Sequence, residues 1–299
     1  MGRMLYGTAY NGFVRFSIID SKDIVEEVRS RHFLSYLPTV ILGRLITASS
    51  LVIPWLSEKE TITFIITSDG PVESVVAQST SSGIVRGYIG NTDFELEPNS
   101  LGKFDVKKAI GNGELTVVRD VGLKVPYVSK VPIISGEIAE DVAYYYTKSE
   151  QIPTAFALGV LMSPKGVLKA GGLTIQILSK KLSENIIQEI EGRLKNFSIT
   201  SEMKNMNLEN IAKYVLGDEN MIFEEMNVEF RCNCSRHKAL EAIKLLDFEE
   251  LLEMEKEGKA EVVCKWCNTR YAFDVLEIQT AINEKNEKNE KSEKSEKEE

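Results

Sequence analysis

Four cysteines near the C-terminal end constrain this chain more than any other feature. They are the only cysteines in 299 residues, and they form a C-x-C pair, Cys232 and Cys234, and a C-x-x-C pair, Cys264 and Cys267. Each pair can chelate a metal ion if residues 235–263 fold back and bring the pairs together. Zinc prefers four soft ligands in a tetrahedron, and four thiolates supply that set. The spacing predicts a four-cysteine zinc site, although the C-x-C pair differs from the common ribbon with two C-x-x-C pairs.

Other uses of paired cysteines remain open at this point. Permanent disulfides fit an oxidising compartment, but we expect no export here. An iron–sulfur cluster also takes four thiolates. Four unrelated core cysteines are not expected to cluster as two pairs. A redox-sensitive zinc site combines two of these chemistries, because the thiolate is the species that both binds metal and reacts with oxidants.

The composition is that of a soluble, acidic protein. Hydrophobic residues make up 43% of the chain and charged residues 27%, with a net charge of −9. This charge speaks against general nucleic-acid binding and against docking on an anionic membrane. No run approaches the roughly 18 apolar residues of a membrane span, and residues 1–7 carry no apolar secretory segment. We therefore expect a cytoplasmic protein with free thiols and without nucleic-acid or membrane partners.

Histidine-based catalytic constellations find no support in the sequence, whereas paired carboxylates stay open. Its two histidines, His32 and His237, lie far apart, and no H-E-x-x-H, G-x-S-x-G or Walker A pattern is present. The run at 111–113 begins like a dinucleotide fingerprint but leads into a strand, so a turn is expected there. His237 follows Cys234 by three residues, but it is surplus beside four cysteines. We predict a protein that is not an enzyme, with no catalytic residues and no bound cofactor other than zinc.

Residues 1–178 predict one α+β domain with a mostly antiparallel sheet. Apolar and polar residues alternate over 14–18, and residues 61–67 are rich in β-branched side chains. Asp69-Gly70 and Ser82-Gly83 are turn signals between apolar runs, which indicates an antiparallel meander. This order of elements argues against a nucleotide-binding α/β sheet.

The pattern changes after Leu178. Residues 179–228 contain two helical patterns and four of the eight methionines, namely Met203, Met206, Met221 and Met226. Methionines fill irregular core gaps and also form adaptable apolar surfaces. Helices in so polar a segment are marginal unless they dock on a neighbour, and such a segment is suited to a switch. We predict a helical linker over 179–228.

Residues 229–282 are predicted to form a small cysteine module. A helical stretch is expected over Lys238–Glu257, and Trp266 is expected to pack over the metal site. The module carries eleven acidic and eight basic residues, which is unsuited to reading nucleic acid. Residues 283–299 repeat Glu, Lys, Asn and Ser without an apolar residue, and they predict a disordered tail.

The residues around the cysteines resemble the zinc domain of the heat shock protein 33 family. The resemblance is carried by the run Phe230–Arg236, by Ala239-Leu240, and by Cys264–Cys267 followed by Tyr271 and Phe273. Three further motifs resemble that family's N-terminal domain: Val85–Tyr88, Tyr145–Thr154 and Ala170–Gly172. The resemblance covers nearly the whole chain.

Proteins of that family are bacterial redox-switched holdase chaperones, and the resemblance implies the same function here. It implies an N-terminal domain that binds clients and dimerises, and one Zn²⁺ per chain in an inactive reduced form. Oxidation would form the disulfides Cys232–Cys234 and Cys264–Cys267, release zinc and melt residues 179–282. The oxidised form, a homodimer, would hold unfolding proteins without ATP and pass them to ATP-dependent foldases. The cysteine spacing alone allows three disulfide connectivities.

Two other classes of protein stay open. A thiol–disulfide oxidoreductase would use Cys264 and Cys267 as its redox pair, but that motif should begin a helix, whereas Tyr271-Ala272-Phe273 indicates a strand. A static zinc-binding adaptor would keep its helix content in peroxide.

Overall fold

The structure is a computed structural model that describes residues 1–283 and 285. Contacts divide the chain into two compact units, the first being Met1–Arg231 and the second beginning at Cys232. The predicted fold class is confirmed: an α+β protein with a mostly antiparallel sheet, helices and a small C-terminal cysteine domain. The domain boundaries at 178 and 228 stay predictions. The predicted tail lies outside the described residues, apart from residues 283 and 285.

The first unit is built on one ten-stranded sheet, in the order β7-β6-β3-β4-β5-β10-β1-β2-β9-β8. Its strands are β1 Gly2–Ala9, β2 Val14–Asp20, β3 Thr61–Ser68, β4 Ser74–Thr80, β5 Ile84–Ile89, β6 Gly113–Asp120, β7 Tyr127–Pro132, β8 Thr154–Ser163, β9 Gly166–Ile177 and β10 Ile222–Phe230. Every neighbouring pair is antiparallel except β5 and β10. The expected meander of β3, β4 and β5 is therefore present.

Alternation along the strands gives the sheet two apolar faces near β1 and β2. Met4 and Ile19 lie in one core, whereas Leu5 and Ile18 lie in the other, because successive side chains in a strand point to opposite faces. The β1–β2 turn places Asn11 and Gly12 at positive φ, a region that suits these two residue types. Helices are needed on both faces here to cover both cores.

Four α-helices cover the first face: α1 Lys22–His32, α2 Tyr36–Leu51, α3 Val106–Ile110 and α4 Ile138–Lys148. The central helix, α2, has fourteen of its sixteen residues buried and contacts six strands of the sheet. Its buried hydroxyls bond within the helix: Thr47 donates to the Gly43 carbonyl at 2.7 Å and Ser50 to the Ile46 carbonyl at 2.8 Å. These bonds satisfy the polar atoms of a helix that is apolar all round.

The expectation that no segment is long and apolar enough for a membrane span is wrong. Residues Tyr36–Trp55, which comprise α2 and a 3₁₀ turn at Ile53–Trp55, pass that test by length and composition, with a mean hydropathy of 1.6. In the structure, 89% of the most apolar 18-residue window of that stretch is buried inside the protein. A helix at the centre of a large core is apolar on every side for the same reason as a membrane helix.

Three helices cover the second face: α5 Glu184–Leu194, α6 Ile199–Glu202 and α7 Leu208–Leu216. Two side chains fasten the end of α7. The Tyr10 hydroxyl donates to the Leu216 carbonyl at 2.6 Å, and Arg193 Nη1 donates to the same carbonyl at 3.1 Å. Met203 and Met221 are buried in this core. The predicted linker, 179–228, thus contains three helices and the first seven residues of β10.

The second unit has a small core of its own. It contains α8 Arg236–Lys244, α9 Phe248–Glu257, the hairpin β11 Lys259–Val263 and β12 Arg270–Asp274, and a helix over residues 275–283. The helical stretch expected over Lys238–Glu257 is present as two helices, because it is broken at 245–247. Asp247 caps α9 through a capping box with Glu250, which starts a new helix.

Asp141 in α4 allows a test of this fold. It is fully buried, and its Oδ1 accepts from the backbone N–H groups of Ile134 (2.9 Å) and Ser135 (3.0 Å). Its Oδ2 has no hydrogen-bond partner among the described residues. Burial raises the pKa of Asp141, so the carboxylate is disfavoured in the folded state.

We expect Asp141→Ala to lower the free energy of unfolding by about 1–3 kcal/mol, because two buried N–H groups lose their acceptor. Asp141→Asn keeps that acceptor without the charge. A raised folded pKa stabilises wild type at low pH, and this stability is lost as pH rises through the folded pKa. In urea unfolding, the Asn variant should therefore gain stability relative to wild type as the pH rises from about 4, near the unfolded pKa of Asp, to about 7. A pH-independent difference would contradict the burial argument.

Candidate metal centre

The C-x-x-C pair lies in the tight turn between β11 and β12. The Cys264 carbonyl accepts from the N–H groups of Cys267 (3.3 Å) and Asn268 (2.7 Å), and the Cys264 N–H donates to the Thr269 carbonyl at 2.9 Å. Asn268 adopts positive φ, which lets the chain reverse. The turn thereby brings both sulfurs of this pair into one cluster.

The C-x-C pair lies on the segment that joins β10 to α8. Two contacts from Lys238 hold this segment. The Lys238 ammonium donates to the Asn233 carbonyl at 2.8 Å, and the Ser235 hydroxyl accepts from the Lys238 N–H at 3.2 Å as the cap of α8. Ser235 therefore ends the extended segment and starts the helix.

The structure brings all four predicted cysteines together. Their sulfurs lie within 4.8 Å of one another. The Cys232 and Cys264 sulfurs are 3.7 Å apart, and the Cys234 and Cys267 sulfurs are 3.3 Å apart. Four sulfurs at about 2.3 Å from a tetrahedral zinc ion lie about 3.8 Å from one another. The donor set and its spacing fit a zinc ion.

Hydroxyl groups contact two of the four sulfurs. The Tyr271 hydroxyl donates to the Cys234 sulfur at 3.2 Å, and the Thr269 hydroxyl lies 3.2 Å from the Cys267 sulfur. Such contacts orient metal ligands and tune their basicity. The hydrogen bond to Cys234 also raises the pKa of Tyr271 to about 12.

The metal-free thiols differ in how readily they ionise. Burial raises the pKa of Cys232 to about 12 and also raises the pKa of Cys264. Burial acts in the same direction on Cys267, but hydrogen bonds from Thr269 outweigh it and lower the Cys267 pKa to about 7. Neutral pH alone would therefore not ionise all four thiols. A cation is needed to hold them together as thiolates.

Arg236 connects three elements of the module. Its guanidinium forms a two-pronged ion pair with Glu277, at 2.5 and 2.8 Å, and donates to the Ala272 carbonyl at 2.9 Å. It also lies over the Phe273 ring, 4.5 Å from the centroid. The contact with Arg236 lowers the pKa of Glu277 to about 2. A single side chain thus joins the start of α8 to β12 and to the helix that follows.

Other residues considered from the sequence lie outside the cluster. His237 is exposed, and the metal-type cluster among the described residues consists of the four cysteines alone. Trp266 is half-buried. Tyr271 lies on β12, so the C-x-x-C pair occupies a turn between strands, as its sequence indicated, and not the first turn of a helix. Sequence reasoning missed Thr269, whose only signal is a hydroxyl residue two positions after Cys267.

Comparisons with known proteins define the class of this protein. A family model described as Hsp33 protein matches residues 2–274. A 33 kDa chaperonin of Thermotoga maritima is 49% identical over 281 residues, covering 94% of this chain and 97% of the relative. A 33 kDa chaperonin of Clostridium botulinum is 40% identical over 294 residues, covering 95% and 99%. These relatives are named as chaperonins and not as enzymes.

The solved structures lead to the same family. The crystal structure of a 33 kDa chaperonin (heat shock protein 33 homolog) from Thermotoga maritima matches with a TM-score of 0.93 and 48% identity. The match covers 95% of this chain and 99% of that chain. The chain belongs to the Hsp33 family, which confirms the resemblance seen in its sequence.

Tyr271 provides a mild test of the metal centre. We expect wild type to bind one zinc ion per chain, and Tyr271→Phe to keep this stoichiometry while losing about tenfold in affinity, because a hydrogen bond to the Cys234 sulfur is removed. Competition with a chromophoric chelator measures both quantities. Tyr214→Phe, at an exposed tyrosine on α7, is the matched control. Equal affinities of the two variants would show that the hydroxyl does not support the site.

Proposed function

We propose that this chain is a redox-regulated, ATP-independent holdase chaperone of the cytoplasm. Its reduced, zinc-bound form is inactive, and oxidation activates it. The observation that carries the proposal is the four-sulfur cluster, together with its place in the chain. Arg231 is the single residue between the end of β10 and Cys232, so the fate of the cluster bears directly on a strand of the large sheet.

The zinc ion would supply most of the stability of the second unit. Among the described residues, the core of this unit has seven buried members, Ala239, Ile243, Leu251, Ala260, Phe273, Ile278 and Ile282. A core in so small a unit supplies only about 3–5 kcal/mol, whereas a structural zinc ion contributes about 10–16 kcal/mol of binding free energy. Loss of the ion would therefore unfold the unit.

Oxidation would remove the ion by consuming its ligands. Two thiolates give two electrons to peroxide, form one disulfide and, with two protons, leave two molecules of water. Two such reactions convert all four ligands, and disulfide sulfurs are poor ligands for Zn²⁺. We propose the pairs Cys232–Cys234 and Cys264–Cys267. A C-x-C disulfide closes a small, strained ring, which suits a reversible switch.

The apolar surface for clients would lie beneath the helices of residues 179–228. Helices α5, α6 and α7 cover the second face of the sheet, where the buried side chains include Leu5, Phe16, Ile18, Leu173 and Ile175. Undocking of these helices would uncover that face and Met203 and Met221, which lie in the segments next to the helices. We further propose that the oxidised form is a homodimer and that clients pass to ATP-dependent foldases.

The switch predicts that three changes run together. During treatment with hypochlorite or warm peroxide, we expect one equivalent of zinc to be released, helical circular dichroism to fall and suppression of citrate synthase aggregation to appear. Dithiothreitol with added zinc should reverse all three. The physical reason is that metal binding, the folding of the second unit and the docking of helices α5, α6 and α7 on the sheet are linked.

Two controls separate this proposal from its alternatives. A chain with all four cysteines changed to serine cannot form disulfides and should not respond to oxidant. Insulin reduction tests the oxidoreductase alternative. If zinc leaves with unchanged helix content and no client is protected, the cysteine module is a static zinc-binding adaptor and the chaperone proposal is wrong.

The proposed disulfide pairing competes with a pairing across the two motifs, because two close sulfur–sulfur contacts join one motif to the other. Peptide mapping distinguishes the two pairings. The contacts at 3.7 and 3.3 Å join Cys232 to Cys264 and Cys234 to Cys267. Digestion of the oxidised chain within residues 235–263 should nevertheless yield two separate peptides, each with an internal disulfide. Closing short loops costs less chain entropy than closing long ones. Peptides linked across the two motifs in mass spectrometry would contradict the proposed pairing.

A further inference from the structure

Strand β10 is held in the sheet chiefly from one side. It pairs with β1 over seven residues, from Gly2↔Val228 to Thr8↔Ile222. With β5 it shares two paired positions, at Glu229 and Phe230. Most of the strand therefore depends on the edge of β1 for its backbone hydrogen bonds.

Few side chains of β10 add to that hold, since Phe223, Met226 and Phe230 are only partly buried against the two cores. Val228 is its one fully buried residue, and Ile222 is 74% exposed. Glu224 and Glu225 are also exposed and bond to residues of β1: the Tyr6 hydroxyl donates to Glu224 at 2.6 Å, and Arg3 pairs with Glu225 at 2.5 Å. Exposed polar contacts of this kind contribute little stability. β10 is thus a weakly anchored strand within a large sheet.

The directions of the backbone groups show which amides would be released. The N–H groups of Glu229 and Arg231 donate to β5 and its turn, at the Gly83 and Val85 carbonyls. Backbone groups alternate in direction along a strand. The N–H and C=O groups of the even-numbered residues of β10 therefore point at β1. In the antiparallel register with β10, the even-numbered residues of β1 point back at them.

We propose that oxidation frees β10 from the sheet and that the exposed edge of β1 then binds an extended segment of an unfolding client protein. This inference rests on the proposed chaperone function and names its binding site. The second unit is the anchor that β10 loses, because one residue separates them. An open edge of about seven residues is a template for strand addition.

β10 itself shows what the site accepts. Met226, Val228 and Phe230 alternate along the strand and contact the core formed with α1 and α2. The edge also demands a close approach of the backbone, since a Cβ at Gly7 would collide with the Ile222 carbonyl oxygen. Arg3 and Tyr6 at the rim favour acidic neighbours. The client segment is therefore extended, antiparallel to β1, apolar at alternate positions and not basic.

A fluorescent peptide with the sequence of Ile222–Phe230 tests the site on the full chain. We expect it to bind the oxidised, zinc-free protein and not the reduced, zinc-bound protein. N-methylation at 224, 226 and 228 removes the N–H groups that point at β1, and we expect affinity to fall at least about tenfold. Methylation at 223, 225 and 227 adds the same number of methyl groups on the other edge and should have little effect.

Aggregation assays on the same samples separate the two proposals. Client protection without peptide binding, or with equal binding of both methylated peptides, overturns the strand site and leaves the chaperone proposal standing. If methylation at 224, 226 and 228 weakens binding, methylation at 223, 225 and 227 does not, and no client is protected, the open edge is established but its role in holding clients is overturned. Absence of both results overturns both proposals.

Hydrogen exchange gives a second measurement on the oxidised chain. The amides of Met4, Tyr6 and Thr8 point at β10, whereas those of Leu5 and Gly7 point at β2. We expect the first set to lose protection on oxidation and the second set to keep it. Equal loss in both sets would mean that the sheet itself unfolds, and equal retention would mean that β10 stays in place. Either result overturns the inference.

Discussion

The ten-stranded sheet is continuous because β10 lies between β1 and β5. On one side of β10 stand β1, β2, β9 and β8, and on the other stand β5, β4, β3, β6 and β7. The strand that joins these two groups is the last of the ten in chain order and has few buried side chains. It also leads directly into the cysteines. A change at the sulfurs, such as oxidation, is therefore connected through the covalent chain to the strand that joins the two halves of the sheet.

The second unit owes its shape to a few directed contacts as much as to its core. The turn at Cys264, the cap at Ser235 and the ion pair between Arg236 and Glu277 each fix one approach to the cluster. None of them replaces a metal ion, because metal-free thiols repel one another as they ionise and two of these four have raised pKa values. If these sulfurs hold a metal ion, a unit built this way is suited to fold with it in an all-or-none manner.

The first unit, in contrast, is stabilised mainly by a large apolar core. Helix α2 is buried on nearly all sides, so the first face of the sheet is secured by a large core that does not depend on the cysteines. The second face is covered by shorter helices, which are fastened at the end of α7 by Tyr10 and Arg193. Stability is thus unevenly distributed, which is what a protein needs if one layer is to move while the rest stays folded.

The sequence by itself determined the fold class, the four clustered cysteines and the family, because alternation, turn residues and cysteine spacing are local signals. It did not place β10, since Phe223 to Phe230 resembles a polar segment and its partners, β1 and β5, are more than 130 residues away. It also missed the break between α8 and α9, and it did not show that α2, which passes for a membrane helix by composition, is buried on nearly all sides. Only tertiary structure decides such features, because strand partners and burial are set by contacts between segments far apart in the chain.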